Sequence, residues 1–121
     1  MKRYTEEHEW VELKDGIAVI GISVHAAHEL GDITFVELPE IDTELDQGDA
    51  AATVESVKAA ADVYAPIGGT VVAVNGDVEA KPEMLNDGPE TVGWLFKLRD
   101  VKESDLDSLM SAADYDEFAN H

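Results

Sequence analysis

The sequence contains no cysteine, and this absence removes a whole group of functions. Disulfide bonds, thiolate zinc sites and a cysteine nucleophile are excluded, so any sulfur chemistry must arrive on a cofactor. No apolar run reaches membrane-spanning length, and the first residues turn acidic without the apolar stretch of a signal peptide. We therefore expect a cytoplasmic protein that does not bind membranes.

Basic residues are also scarce, since 8 Lys and Arg face 27 Asp and Glu and give a net charge of −19. Such a chain repels nucleic acid and anionic membrane surfaces. The acidity has three interpretations: a solubility device, a docking surface for basic partners, or adaptation to high salt. Because hydrophobic residues still make up 45% of 121 residues, we expect one globular domain over residues 1–121.

Turn signals recur at short intervals between β-branched segments, which is typical of a small β-sandwich or barrel. Asp15-Gly16 predicts a tight hairpin turn, and Gly68-Gly69 predicts another turn. The predicted strands cover residues 10–13, 17–22, 33–38, 51–55, 61–65, 70–74 and 94–98. The stretches 40–49 and 75–92 read as irregular, with one helical turn after Pro82.

Helical signals occur in two places. Ser23 is the predicted N-cap of a short helix over residues 24–30, and Gly31 is placed to end it. From Ser104 onward three apolar residues follow helical spacing: Leu106, Leu109 and Met110. A second short helix is expected around Tyr115 and Phe118. The core strands should therefore lie at about residues 8–99 and a helical segment at about 104–119.

Lys58 is the one Lys or Arg between residues 15 and 80. It falls between two predicted strands, which places it at a hairpin tip. The neighbours Ser56, Val57, Ala59 and Ala60 leave its side chain sterically open, as a modifying enzyme would require. An exposed ammonium is a poor nucleophile without burial or a nearby cation. Two interpretations remain from spacing alone, an ordinary surface lysine or an attachment point.

Three blocks of sequence bear on that choice: residues 4–11 (YTEEHEWV), 31–39 (GDITFVELP) and 54–66 (VESVKAAADVYAP). Together with Gly93-Trp94-Leu95 and the acidic C-terminal segment, they closely resemble the H protein family of the glycine cleavage system over roughly residues 3–118. The resemblance implies a non-catalytic carrier with lipoate in amide linkage on Lys58. The attachment site would be recognised through four neighbours: Glu55, Ser56, Val57 and Ala59.

The fold class expected is mainly β, a barrel-sandwich hybrid of two small antiparallel sheets of the lipoyl/biotinyl-carrier type. A short helix near residues 24–30 and C-terminal helices complete it. A biotinyl carrier is disfavoured, because those domains usually flank the target lysine with methionines. Here the flanking residues are Val57 and Ala59.

The resemblance also implies partners. These are glycine decarboxylase, a tetrahydrofolate-dependent aminomethyltransferase, dihydrolipoamide dehydrogenase and a lipoate-attaching enzyme, acting on a monomer. The alternative is a related lipoyl carrier that relays lipoate to other enzymes or serves a redox-linked modification pathway. The positions that match the family's arm cleft are Glu9, His25 and Asp62.

Some positions depart from the family pattern or have competing interpretations. The usual Pro-Tyr-Gly-Glu-Gly-Trp segment appears as Pro89-Glu90-Thr91-Val92-Gly93-Trp94, and Val24 stands where an acidic residue is common. His25 and His28 have helical spacing that suits a metal but lack a third ligand, so no metal site is expected. Trp10 and Trp94 are interpreted as packing residues.

Overall fold

The computed structural model describes residues 2–120, so Met1 and His121, the ends of the predicted domain, lie outside the described residues. The strands are β1 (Lys2–Tyr4), β2 (Glu9–Lys14), β3 (Ile17–Ile22), β4 (Ile33–Glu37), β5 (Glu44–Leu45), β6 (Ala50–Ser56), β7 (Ala60–Tyr64), β8 (Gly69–Val74), β9 (Phe96–Arg99) and β10 (Met110–Ser111). The α-helices are α1 (Val24–Leu30), α2 (Gly76–Ala80), α3 (Met84–Asp87) and α4 (Ala112–Ala119), and a 3-10 helix covers Glu103–Ser108.

The strands form two antiparallel sheets. One has seven strands in the order β10-β1-β2-β3-β9-β8-β5, and the other has three in the order β4-β6-β7. Both contribute side chains to one buried core, for example Val11 and Ile20 from the larger sheet and Val54 and Val63 from the smaller. The predicted mainly β fold with two antiparallel sheets is confirmed, and its form is a sandwich without a closed barrel.

The hairpin of β2 and β3 follows directly from local sequence. Asp15 and Gly16 both adopt positive φ, at 52° and 81°, as a tight turn with matching twist requires. Alternation along β3 then buries Ala18 and Ile20 completely. This predicted hairpin is confirmed.

Helix α1 also begins and ends where the sequence predicts. The Ser23 hydroxyl accepts a hydrogen bond from the backbone N–H of Ala26 at 3.1 Å, which caps the first turn. Gly31 ends the helix with φ 76° and donates its N–H to the Ala27 carbonyl at 3.1 Å. Because Ala27 is the buried residue of α1, the helix lies along the edge of the core.

The C-terminal segment differs from the prediction of a helix starting at Ser104. A 3-10 helix forms instead, and Met110 pairs with Tyr4 as part of β10. The cause is tertiary contact, because the Asp105 carboxylate accepts the Gly68 N–H at 2.9 Å and pulls the segment onto the turn before β8. The second predicted helix is confirmed as α4, with Tyr115 buried on its inner side.

The irregular stretches contain more structure than predicted. Residues 40–49 include β5 and residues 75–92 include α2, neither of which was predicted, whereas α3 is the helical turn predicted after Pro82. Strand β9 begins at Phe96, two residues later than predicted, because Asn75 Nδ2 donates to the Trp94 carbonyl at 2.8 Å and draws it out of the ladder. Within residues 2–120, no helix combines the length and the hydropathy needed to cross a membrane.

Candidate functional site

The turn between β6 and β7 presents Lys58. Across this turn the Ser56 N–H donates to the Ala59 carbonyl at 2.8 Å. The Ser56 hydroxyl also accepts the N–H groups of Lys58 and Ala59, each at 3.1 Å. The small Ser56 side chain therefore provides hydrogen-bond acceptors for the backbone N–H groups of the turn, and no larger side chain is needed to hold the turn.

The lysine side chain is exposed and uncrowded. Residues 57–60 are all exposed, and Val57 leaves 69% of its surface open. The stem of Lys58 passes over Gly31, where an added Cβ would lie 3.4 Å from Lys58 Cε. An acyl group on the Lys58 amine fits this site, because the neighbouring side chains are small or point into solvent.

The hairpin tip is supported by residues 31 and 32, which form the link between α1 and β4. The Val57 N–H donates to the Asp32 carbonyl at 3.1 Å. Asn86 on α3 holds the same link, since its Nδ2 donates to the Gly31 carbonyl at 2.8 Å and its Oδ1 accepts the Ile33 N–H at 2.9 Å. Sequence reasoning missed Asn86, which lies in a stretch without a periodic pattern.

Glu9, predicted as part of an arm cleft, is 2% exposed at the start of β2. Its Oε1 accepts the Thr5 hydroxyl at 2.6 Å, and its Oε2 accepts the Tyr64 N–H at 3.0 Å. Burial raises the pKa of this carboxyl above its ordinary value, although both hydrogen bonds act against that shift. A bound amine would have to share oxygens that already have protein partners.

Asp62 lies on β7, two residues before Tyr64, and is exposed. Its carboxylate accepts the Thr53 hydroxyl at 3.4 Å across the β6–β7 pair. Because the Tyr64 N–H at the end of β7 donates to Glu9, the Glu9 carboxylate lies beside the strand that carries Asp62. The exposed Asp62 carboxylate is the more accessible of the two.

His25 belongs to a different surface, between α1 and α4. Its Nε2 lies 2.9 Å from Glu29 Oε1, and its ring centroid lies 4.6 Å from that of His8. It lines a groove of about 710 Å³ together with residues of α4. Within residues 2–120, no hydrogen bond or ion pair connects His25 to Glu9 or Asp62.

A buried side-chain network, also missed from the sequence, holds α4 against α1. The Tyr115 hydroxyl lies 2.7 Å from Ser23 Oγ and 2.6 Å from His8 Nδ1, and its ring stacks on Tyr4 at 4.4 Å. Burial, and secondly the nearby His25, lower the pKa of His8 below its ordinary value of 6.5. Burial raises the pKa of the Tyr115 hydroxyl.

The segment that departs from the family pattern has a defined place in this network. Glu90 Oε1 accepts the Tyr4 hydroxyl at 2.6 Å, and its Oε2 accepts the Val24 N–H at the start of α1 at 3.0 Å. Trp10 is 2% exposed and donates its Nε1 to the Pro89 carbonyl at 3.1 Å. Trp94 packs against the same cluster, so the interpretation of both tryptophans as packing residues is confirmed.

No group of three or more His, Asp or Glu side chains in residues 2–120 is arranged to hold a metal ion. His25 instead faces Glu29, and His28 is exposed.

An accessible lysine at the tip of a hairpin, in a sandwich of two antiparallel sheets, is the arrangement shared by carrier proteins that bear a lipoyl or biotinyl group on a lysine. A family model described as "Glycine cleavage H-protein" matches residues 2–121. This chain belongs to that family, whose members are non-catalytic lipoyl carriers of the glycine cleavage system.

Individual relatives agree with this assignment. The glycine cleavage system H protein of Thermotoga maritima is 48% identical over 118 residues, covering 98% of this chain and 95% of the relative. The protein of the same description from Phenylobacterium zucineum is 51% identical over 116 residues, covering 96% of each chain. The crystal structure of a glycine cleavage system H protein from Mycobacterium marinum has a TM-score of 0.90 at 30% identity, covering 99% of this chain and 97% of that one.

Proposed function

We propose that this chain carries lipoate in amide linkage on Lys58 and shuttles the aminomethyl group of glycine among the enzymes of the glycine cleavage system. Lipoate held on Lys58 would supply a disulfide able to carry that group, and the enzymes acting on the carrier would be glycine decarboxylase, the tetrahydrofolate-dependent aminomethyltransferase and dihydrolipoamide dehydrogenase. The proposal takes residues 1–121 as one cytoplasmic, monomeric carrier domain.

The supporting observation is the placement of Lys58. Its amine lies at an exposed tip whose turn is held by backbone bonds and by the Ser56 hydroxyl. A flexible arm on a fixed base raises the effective concentration of its far end at each partner, so weak and reversible docking is enough. The carrier therefore needs no catalytic side chain of its own.

The four predicted recognition residues have three different roles in this proposal. Glu55 and Val57 are exposed, and they are the side chains that an attaching enzyme can contact directly. Ser56 acts through the shape of the turn, because its hydroxyl is engaged with the backbone of residues 58 and 59. Ala59 keeps the approach to Lys58 open.

The predicted cleft residues also have different roles in this proposal. Asp62 offers an exposed carboxylate beside the hairpin that can pair with a cationic amine on the arm. Glu9 reaches the same strand but is almost fully buried, so it contributes mainly by fixing the end of β7. His25 lies on the α1–α4 groove and would contact the arm only if the arm extends along α1.

The test is intact-mass analysis with peptide mapping of the protein isolated from its own source, where the attaching enzyme is present. We expect lipoate on Lys58, none in Lys58→Arg, and unchanged modification in Lys81→Arg, which alters an exposed lysine outside the hairpin. A bare Lys58 in lipoate-replete cells would contradict the proposal.

A second measurement separates glycine cleavage from lipoate relay. The purified lipoyl form is mixed with glycine decarboxylase, and release of labelled carbon dioxide from glycine is followed. Release that depends on the lipoyl form supports the glycine cleavage role. A lipoylated carrier that supports no release, but donates lipoate to another acceptor, would favour the relay.

A further inference from the structure

The α1–β4 link and α3 lie directly behind the lysine hairpin, although α3 is far from it in sequence. We propose that Asn86 is a positioning residue for Lys58. The Asn86 carboxamide holds the α1–β4 link in one conformation, and this link fixes the pose of the hairpin tip for the attaching enzyme. This inference rests on the proposed lipoylation of Lys58.

Asn86 bonds the peptide groups on both sides of Asp32, donating to the Gly31 carbonyl at 2.8 Å and accepting from the Ile33 N–H at 2.9 Å. A carboxamide offers both an N–H donor and a carbonyl acceptor to this fork, whereas a carboxylate offers only acceptors. The orientation of the Asp32 peptide is therefore set by a side chain that is 53 residues distant from Ile33.

The link held by Asn86 contacts the lysine hairpin directly. The Asp32 carbonyl accepts the Val57 N–H at 3.1 Å, and Gly31 lies under the stem of Lys58. In the described part of the chain, the Val57 bond is the one backbone hydrogen bond that ties residues 57–59 to anything outside their own hairpin. Apart from the bonds within the hairpin, the pose of the tip therefore depends on the link on which it rests.

The link needs an external support because its backbone is permissive. Gly31 has φ 76° and ψ −150°, a region that is open essentially to glycine alone. Glycine samples both signs of φ readily, so the segment has alternatives unless something holds it. Asn86 supplies that support from outside the hairpin.

The effect of Asn86 can be separated from the stability of the fold. Asn86 is exposed, and its helix is anchored independently by Leu85, which is fully buried in the core. Removing the carboxamide thus leaves the hydrophobic contacts of α3 in place. The expected consequence is a wider range of tip poses in an otherwise folded protein.

The pose of the tip should affect the KM for the carrier in lipoylation more than it affects kcat. If only a fraction of the tips is correctly placed, the apparent affinity of the attaching enzyme falls by that fraction. We expect Asn86→Ala to raise the KM for the carrier in lipoylation by roughly three- to tenfold, with kcat unchanged, on the scale of one or two lost hydrogen bonds. Asn86→Asp keeps the bond from Ile33 and should lie between wild type and Asn86→Ala.

The experiment measures initial rates of lipoylation against carrier concentration for wild type, Asn86→Ala, Asn86→Asp and the control Asp87→Asn. Asp87 is exposed on the same helix, and Asp87→Asn should behave as wild type. Amide hydrogen exchange of the unmodified proteins is measured in parallel. Faster exchange at Val57 and Ile33 in Asn86→Ala, with unchanged exchange at Val11 and Ile20 in the core, supports local positioning.

Three results would overturn the proposal: a wild-type KM in Asn86→Ala, unchanged exchange at Val57, or faster exchange throughout the core. The last would assign Asn86 to general stability. Failure of the proposed function is distinguishable, because wild-type protein would then accept no lipoate at all. In that case the exchange of Val57 alone still decides whether Asn86 orders the tip.

Discussion

The two ends of helix α1 are fixed by different means. At its N-terminal end, the buried Ser23 and the exposed Val24 bond to Tyr115 and Glu90, side chains that arrive from distant parts of the chain. At its C-terminal end, Gly31 and the following link are held by backbone bonds and by one exposed carboxamide. One end is secured by bulk and burial, and the other by hydrogen bonds that leave the surface open.

The difference suits the different tasks of the two ends. Burial of aromatic groups stabilises the fold but closes the surface around them. Under the proposed function several enzymes reach Lys58, and such a lysine needs a fixed base with little side-chain volume near it. Ser56, Ala59 and Gly31 provide such a base, so order and access coexist at the C-terminal end of α1.

The largest expected effect comes from breaking the N-terminal end. Tyr115→Ala removes a buried aromatic ring and the partner of Ser23 and His8, and we expect a loss of roughly 3–5 kcal/mol in the free energy of unfolding. Urea denaturation measures it. Phe118→Ala on the same helix is the control, and it should cost less than half as much because Phe118 is 42% exposed. Equal losses would mean that the buried network has no special role.

The next effect comes from the C-terminal end, where backbone conformation replaces packing. Gly31→Ala places a Cβ at φ 76°, and the strain should cost roughly 1–3 kcal/mol in urea denaturation. Gly76→Ala is the matched control, because Gly76 lacks positive φ and an added Cβ meets nothing within 4 Å. It should be neutral or slightly stabilising. A neutral Gly31→Ala would contradict the account of this end.

Low pH should destabilise the contacts at the N-terminal end of α1 through His8, which bonds to Tyr115. The pKa of His8 in the folded protein lies below its ordinary value of 6.5. Its contribution to stability is therefore complete above pH 6.5 and is lost as the pH falls from 6.5 through the folded pKa. Burial and His25 lower this pKa, while Glu29 and Glu7 act weakly against them. We expect the urea midpoint of wild type to fall from pH 8 to 5.5 more than that of His8→Asn. Identical changes in the urea midpoint for wild type and His8→Asn would contradict this role of His8.

The smallest expected effect is at the tip itself. Val57 is 69% exposed, so Val57→Ala should change the free energy of unfolding by no more than about 0.5 kcal/mol. Differential scanning calorimetry alongside Tyr115→Ala gives the contrast directly. A loss above about 1 kcal/mol would show that the tip is packed more tightly than its exposure indicates.

Local signals explain which parts of the fold could be predicted. Asp15-Gly16 specified its hairpin, and Ser23 and Gly31 specified both ends of α1, because each acts on its own neighbourhood. The helix expected from Ser104 failed because three apolar residues at helical spacing do not outweigh bonds to a distant turn. Asp105 meets Gly68 across 37 residues, which no local pattern records.

The same distinction applies to the candidate site. The isolation of Lys58 and its small neighbours are properties of one short segment and singled it out, but the prediction of an attachment point came from resemblance. Asn86 and Tyr115 were not recognisable, since their partners lie 53 to 107 residues away. Glu9 and Asp62 were identified through resemblance, and sequence alone gave no indication that one is buried and the other exposed.

The smaller sheet also bears on self-association. Its edge strands, β4 and β7, are where a second copy could add a strand. The ladder of β4 is irregular between Ile33 and Phe35, and the Tyr64 N–H of β7 is already taken by Glu9. These features, with exposed carboxylates at Glu37 and Asp62, discourage edge-to-edge growth. The exposed lysine hairpin can thus stand in crowded surroundings without becoming a template for aggregation.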